Sequence, residues 1–241
     1  VGCVWFFAQA QGRQASATTS ASIAICAIAR AGQKSDTGNA NIGGSVGMGS
    51  GAWATGNQAI AIGGVSQSVI TTNNEATLTS NNTQASGNQS IAVGAKTQVS
   101  GNQSAAIGTN ITLSGNNTFV LGGNVNAVTD GSVYLGDGSK ADGGTGTYKN
   151  QAGTDTVYTL ATNITEANIS GISYSGFVGT VKDGGRFVSV GAKGDERKII
   201  NVAAGAISAD STDAINGSQL YMVAKGLADK INTISISTPS K

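Results

Sequence analysis

The chain has 241 residues, 39% of them hydrophobic but only 5% aromatic, with 36 glycines and one proline, so it lacks the large side chains of an ordinary globular core. A net charge of +1, with 11% charged residues, excludes a nucleic-acid binder held by clustered Lys and Arg. There is no histidine and there are two cysteines, Cys3 and Cys26, which removes the commonest general base and metal ligand and leaves too few thiols for a disulfide scaffold or a zinc site.

Residues 1–10 read as the end of a secretory h-region followed by an Ala8-x-Ala10 cleavage site, without its charged n-region. The alternative is an apolar first coil of the fold. No other segment is long and apolar enough to span a bilayer as a helix.

From residue 11 to 136 the chain repeats. Ala59-Ile-Ala-Ile-Gly63 returns as Ser90-Ile-Ala-Val-Gly94, Ser104-Ala-Ala-Ile-Gly108, Thr118-Phe-Val-Leu-Gly122 and Ser132-Val-Tyr-Leu-Gly136, and the last four closing glycines are 14 residues apart. Ser22-Ile-Ala-Ile-Cys26 fits the same unit with Cys26 at the glycine position. Gly56, Gly87, Gly101 and Gly115 lie seven residues before a closing glycine, and each opens a Gly-Asn turn. The unit is therefore expected to be two five-residue strands joined by two tight turns, with Gly and Asn supplying positive φ.

The two strands differ. Lys96, Gln98 and Ser100 alternate with Thr97 and Val99, and Asn110, Thr112 and Ser114 alternate with Ile111 and Leu113, so this strand has one wet face. Trp53 is also expected on that face. The other strand is apolar on both sides: Ile60 and Ile62 oppose Ala59 and Ala61, and Ile91, Val93, Ile107, Leu121 and Leu135 repeat the pattern. One side fills the coil. The other needs a cover, and copies of the chain around an axis supply it most economically; an ordinary solenoid with a flanking helix is the alternative.

Gly63 to Gly94 spans 31 residues, with a polar loop or irregular coil expected at 71–83. The charge changes near Gly136: residues 1–136 hold seven of the 27 charged side chains, and residues 137–198 hold fourteen. Residues 137–185 break the period and form an insert, with strand-like runs at Thr156–Leu160 and Ile172–Val178 that predict a small β subdomain or hairpin. The repeat returns at Phe187-Val-Ser-Val-Gly191. Leu220, Ala224, Leu227, Ile231 and Ile234 then follow the a/d spacing of a coiled coil, after Ser211-Thr212-Asp213 as the expected N-cap and first-turn acid.

The head repeats resemble the Ser-Val-Ala-Ile-Gly motif of the YadA-like trimeric autotransporter adhesins. Glu196–Gly205 followed by Asp210–Leu220 resembles their neck, which places Arg197, Ile200, Asn201, Val202, Asp213, Asn216, Gln219 and Leu220 at neck positions. The resemblance implies a mainly β chain: a left-handed parallel β-roll head of 14-residue repeats, homotrimeric, then the last repeat and neck at 186–210 and a neck helix and stalk start at 211–241. It implies an exported protein at the outer membrane of a Gram-negative bacterium, binding host cells or matrix proteins. The family's C-terminal barrel anchor is absent from this sequence, which is expected to be a head-and-neck fragment. The insert resembles segments that interrupt such rolls, and Thr19 and Cys26 replace glycines, so the first coil is expected to be imperfect.

Adhesion is expected on the outward strands, with Lys96, Gln98, Asn110 and Thr112 as candidates, or on the insert, without cofactor or metal. A hexapeptide-type left-handed β-helix acyltransferase is disfavoured by the repeat length and the missing histidine. A calcium β-roll would need Asp-rich nonapeptides, and an ice-binding solenoid would need a regular Thr array.

Overall fold

The structure, a computed structural model, describes residues 2–3, 8–32, 43–64, 81–182 and 185–234. The part of the expected loop at 71–80 lies outside them, as do several residues of the expected leader. Within that leader Gly2–Cys3 pair in parallel with Ser16–Ala17, and Gln9 and Ala10, together with Gln11 beyond it, pair with Ile23–Ile25.

Each 14-residue unit makes one coil of a parallel β-solenoid whose 15-stranded sheet nearly closes on itself. Its strands form two ladders. The apolar ladder stacks Gln9–Gln11, Ile23–Ile25, Val46–Met48, Ile60–Ile62, Ile91–Val93, Ala105–Ile107, Phe119–Leu121, Val133–Leu135 and Val188–Ser189. The polar ladder stacks Ser16–Ala17, Arg30–Ala31, Trp53–Ala54, Gln84–Ala85, Thr97–Val99, Ile111–Leu113 and Val125–Ala127. Most strands have two or three residues rather than the expected five, whereas Ala105–Leu113 and Phe119–Ala127 run unbroken through both ladders.

The interior is built largely of small side chains. Ala24, Ala61, Ala92 and Ala106 from the apolar ladder lie against Ala31, Ala54, Ala85, Val99 and Leu113 from the polar one, all buried. Alanine lets the two ladders approach closely, which is why a chain poor in aromatics still has a core. The inward position enlarges toward the end of the roll, from Ala106 to Val120 to Tyr134. Phe187 closes that end, packing edge-on against Tyr134 at 5.3 Å.

The corners depend on two devices the repeat did not disclose. First, buried hydroxyls pin successive coils: Ser104 Oγ donates to the Gly115 carbonyl at 2.8 Å, Thr97 Oγ1 to that of Gly108 at 2.8 Å and Thr118 Oγ1 to that of Thr129 at 2.8 Å. Ser104 and Thr118 open copies of the motif and serve corner carbonyls that point inward, away from water, whereas Ser90, which opens another copy, donates to the Gly87 carbonyl of its own turn at 2.6 Å. Second, the left-handed residue in the Gly-Asn turn is not the glycine. Gln89, Gln103 and Asn117, two residues on, have φ of +54°, +53° and +51°. Gly87, Gly101 and Gly115 are required for proximity instead: a Cβ on Gly87 or Gly101 would strike the carbonyl of the glycine in the next coil.

The first coils accommodate these replacements, with Ile28 also at a left-handed φ of +61°. Cys26 takes the glycine's left-handed conformation, φ +89°, and stays exposed. Thr19 is buried with its hydroxyl 2.6 Å from Ser22 Oγ, and Gly32 and Gly43 leave the room it needs.

The chain divides into two compact units, the roll and a second one formed by Thr147–Thr156, Asn163–Thr180 and the chain from Arg197 on. Two two-stranded sheets occur in the expected insert, Gly146–Lys149 with Asp155–Tyr158 and Glu166–Ile169 with Ile172–Ser175. In the second, Ser170 and Gly171 at φ +52° and +85° make the two-residue turn that suits a twisted hairpin.

The helix is Gly217–Asn232, and its N-cap is Asn216, not a residue of Ser211–Asp213. Asn216 and Gln219 form a reciprocal capping box, and no acid lies in the first turn. Ser211 Oγ instead accepts the Asp213 N–H at 3.2 Å, and Asp213 accepts the N–H of Ala206 at 3.0 Å. Ile234 lies beyond the helix, whose C-cap is Thr233.

Candidate functional site

The roll presents two unlike surfaces. On the apolar ladder, the residues between the buried alanines point outward in two registered rows. Ile60, Ile91, Ala105, Phe119 and Val133 form one row, and Ile62, Val93, Ile107, Leu121 and Leu135 the other. Parallel pairing sets neighbours in a row about 4.8 Å apart, so the rows merge into one apolar strip. In the single chain Ile107 is 50% exposed and Leu121 56%.

The polar ladder places Gln98 opposite Thr112 on its outward face, Thr112 exposed and Gln98 half-buried, while Thr97, Val99, Ile111 and Leu113 are buried. Lys96 and Asn110 do not share that face. Both have left-handed φ, +55° and +54°, Lys96 at a bend and Asn110 where strand Ala105–Leu113 turns the corner, and Asn110 is tied into a side-chain ladder, donating to Asn124 at 2.8 Å, which donates to Asp137 at 2.8 Å. A second ladder runs up the opposite corner: the backbone N–H of Asn88, Asn102 and Asn116 bond the side-chain oxygens of Asn102, Asn116 and Asp130 at 2.8–2.9 Å. These carboxamides, with Asp130 and Asp137 at the ends of the two ladders, stabilise the turns and present a hydrogen-bonding edge.

Trp53 departs from the expected wet face. It is 4% exposed, its indole N–H donates to the Ile28 carbonyl at 3.0 Å, and Arg30 stacks on its ring at 4.0 Å. Its register position is outward, but an indole that donates to a backbone carbonyl and carries a guanidinium on its face is part of the packing.

In the second unit several of the neck positions form a clamp. Asn216 Nδ2 donates to the Val202 carbonyl at 3.0 Å, and Gln219 donates to the Gly205 carbonyl at 2.6 Å while accepting the Gly205 N–H at 3.0 Å. With Asp213 on Ala206, three side chains hold strap 202–206 against the start of the helix. Ile200, Asn201 and Leu220 are exposed, as is Arg197. The helix has no buried residue, so Leu220, Ala224, Leu227 and Ile231 lie uncovered in a single chain.

Two carboxylates sit below the usual range: Glu196, through the Gly194 N–H, and Asp210, through the Ser208 hydroxyl. Among the described residues, no three His, Cys, Asp or Glu side chains converge as a metal site would require, and no helix is long and apolar enough to cross a membrane.

The family model for the coiled stalk of trimeric autotransporter adhesin matches residues 198–241. The model for the YadA head domain repeat matches twice, at 43–66 and 85–110. Autotransporter adhesin BtaE of Brucella suis biovar 1 (strain 1330) is 51% identical over 72 residues, which are 30% of this chain and 9% of that protein's length. Two solved structures are similar. A C-terminal YadA-like domain from Burkholderia pseudomallei shares 38% identity over 54% of this chain and 51% of its own, with a TM-score of 0.30. The collagen-binding domain of the Yersinia adhesin YadA shares 21% identity over 87% of this chain and 86% of its own, with a TM-score of 0.39. On its head repeats, its stalk sequence and its adhesin relative, the chain carries segments of, and is similar to, the YadA-like trimeric autotransporter adhesins.

Proposed function

We propose that the chain is the head, neck and upper stalk of a homotrimeric, non-enzymatic adhesin at the outer membrane of a Gram-negative cell, attaching it to host cells or extracellular matrix. Three left-handed rolls pack through the strip of Ile60, Ile62, Ile91, Val93, Ile107, Leu121 and Leu135, and three helices through Leu220, Ala224, Leu227 and Ile231. The observation that carries this reading is the in-register strip itself: strands buried on one face still expose Ile107 and Leu121 on the other. Fusing three such strips removes them from water, at about 25 cal/mol per Å² of apolar surface.

With that face occupied, the polar ladder and its corners remain for ligand. Lys96, Gln98, Asn110 and Thr112 are the candidate contacts. Repetition up the roll and threefold symmetry would add many weak contacts into useful avidity. The test is binding of the trimer to immobilised collagen, fibronectin and laminin and to host cells, with and without a chelator. Alanine at Lys96, Gln98, Asn110 and Thr112 together should reduce adhesion at least about tenfold, since each lost contact is repeated in every chain. Full adhesion by that variant, or its loss on adding chelator, contradicts this assignment.

A further inference from the structure

The charge of the roll is sorted along its axis. Residues 1–129 carry Arg13, Arg30, Lys34 and Lys96 against Asp36 and Glu75, whereas Asp130, Asp137 and Asp142 then stand against Lys140 alone. Among the described residues the coils before Asp130 hold no acid, and their three cations lie on the polar side of the roll. Arg13 and Lys96 sit on the corner that leads from the apolar to the polar ladder, and both are exposed. Arg30 is in the polar ladder, between Ser16 and Trp53, with its guanidinium over the Trp53 ring. Four strand steps separate the coil of Arg13 from that of Lys96, roughly 19 Å at the usual strand spacing. Beyond Lys96 the same corner continues through Asn110 and Asn124 to Asp137.

We propose that this cationic stretch binds a linear acidic polysaccharide laid along the roll; this rests on the adhesive reading above and names its ligand class. The spacing of the charges selects the polymer. Sparse cations suit a chain whose anionic groups are separated by uncharged sugar, whereas a nucleic acid, with a charge on every nucleotide, calls for clustered Lys and Arg. Beside the cations the polar ladder sets Gln84, Gln98 and Thr112 in one outward row. Carboxamides and hydroxyls both donate and accept, as sugar hydroxyls do, so this row matches the uncharged part of such a polymer. Asp137, at the far end of the corner, repels the polymer and confines it to the earlier coils. An anionic bilayer fits less well, because a flat surface calls for cations gathered in one plane and these are strung along the axis. Three copies of the stretch in the proposed trimer would let a long polymer engage more than one of them.

Binding of the full chain to immobilised chondroitin sulfate tests this, with dextran as the uncharged control and duplex DNA as the competing polyanion. The wild type should bind chondroitin sulfate and not dextran, at least about tenfold more weakly in about 0.5 M salt than in about 0.05 M. Arg13→Gln with Lys96→Gln should lower the affinity at least about tenfold. Its mass and melting temperature should stay those of the wild type, since both side chains are exposed. Arg13→Lys with Lys96→Arg keeps both charges and should bind as the wild type does. Undiminished binding by the glutamine variant, equal retention on dextran, or tighter binding to DNA than to chondroitin sulfate overturns the inference. A chain that leaves chondroitin sulfate unbound yet adheres to host cells overturns it alone. A chain that adheres to no host surface or matrix protein and to none of these polymers overturns the adhesive reading, and this inference with it.

Discussion

Gly101 is not in the left-handed region of φ, yet a Cβ there would run into the carbonyl of Gly115 in the next coil. Replacing it with alanine overpacks a corner that every coil shares and should cost about 2 kcal/mol per chain. Gly143 is the control, with nothing within 4 Å of where its methyl group would lie and no left-handed φ. Thermal melts should show a clear fall for Gly101→Ala and none for Gly143→Ala; equal melts would mean the coils are not stacked as closely as described. The period of these glycines is readable in the sequence, but their reason is not, because proximity between residues 14 apart leaves no local trace. The same holds for Ser104, whose inward hydroxyl looks in sequence like one more polar strand residue. Titration is also a matter for single residues. Glu196 and Asp210 are held below the usual carboxylate range in the folded chain. Each therefore adds stability above its unfolded-state pKa and loses it as pH falls through the lowered value. With no histidine in the chain, the melting temperature should be level from about pH 6 to 8 and drop only in acid, near and below about pH 4. A transition near neutral pH would contradict this.

The helix and its strap make the case for elements. The heptad spacing from Leu220 to Ile231 announces a helix, and Asn216-x-x-Gln219 is a capping box legible in the sequence itself. Ser211–Asp213 suggests an N-cap because Ser and Asp are common caps, but Asp213 is committed to Ala206. Side chains that bond to a strap earlier in the chain compete with local capping, and the sequence does not say which use wins. Gln219 serves both, bonding Gly205 and the N-cap N–H of Asn216. Gln219→Ala should therefore cost about 1–2 kcal/mol, more than a simple cap loss at one end of an exposed helix. Gln219→Glu keeps an acceptor for the box but loses the bond to the Gly205 carbonyl, and should fall between. Far-ultraviolet circular dichroism on heating would separate the three chains, and an alanine variant melting like the wild type would show the clamp to be idle.

For the whole molecule, the sequence discloses most where one face repeats. The 14-residue period, the doubly apolar strand and the alternating strand become two ladders with the expected faces inward, because an inward face has to be written into every coil. It discloses least where the period stops. Runs at 156–160 and 172–178 hint at strands, but not that there are two separate hairpins, nor that the second turns its apolar face outward. Trp53 departs from expectation for a similar reason: alternation gives the side of a strand, not what other segments lay over it. The same two faces make opposite predictions for one substitution. Ile107→Asp would put a carboxylate into the proposed trimer core, an unpaired charge whose burial costs several kcal/mol, on the order of 5 or more per chain. Thr112→Asp keeps its charge in water and should assemble normally. The most direct measurement is sedimentation equilibrium of the full chain at micromolar concentration, alongside these two variants. The wild type and Thr112→Asp should sediment as one species at three times the chain mass, with Ile107→Asp failing to assemble; a compact, folded wild-type monomer would contradict the account.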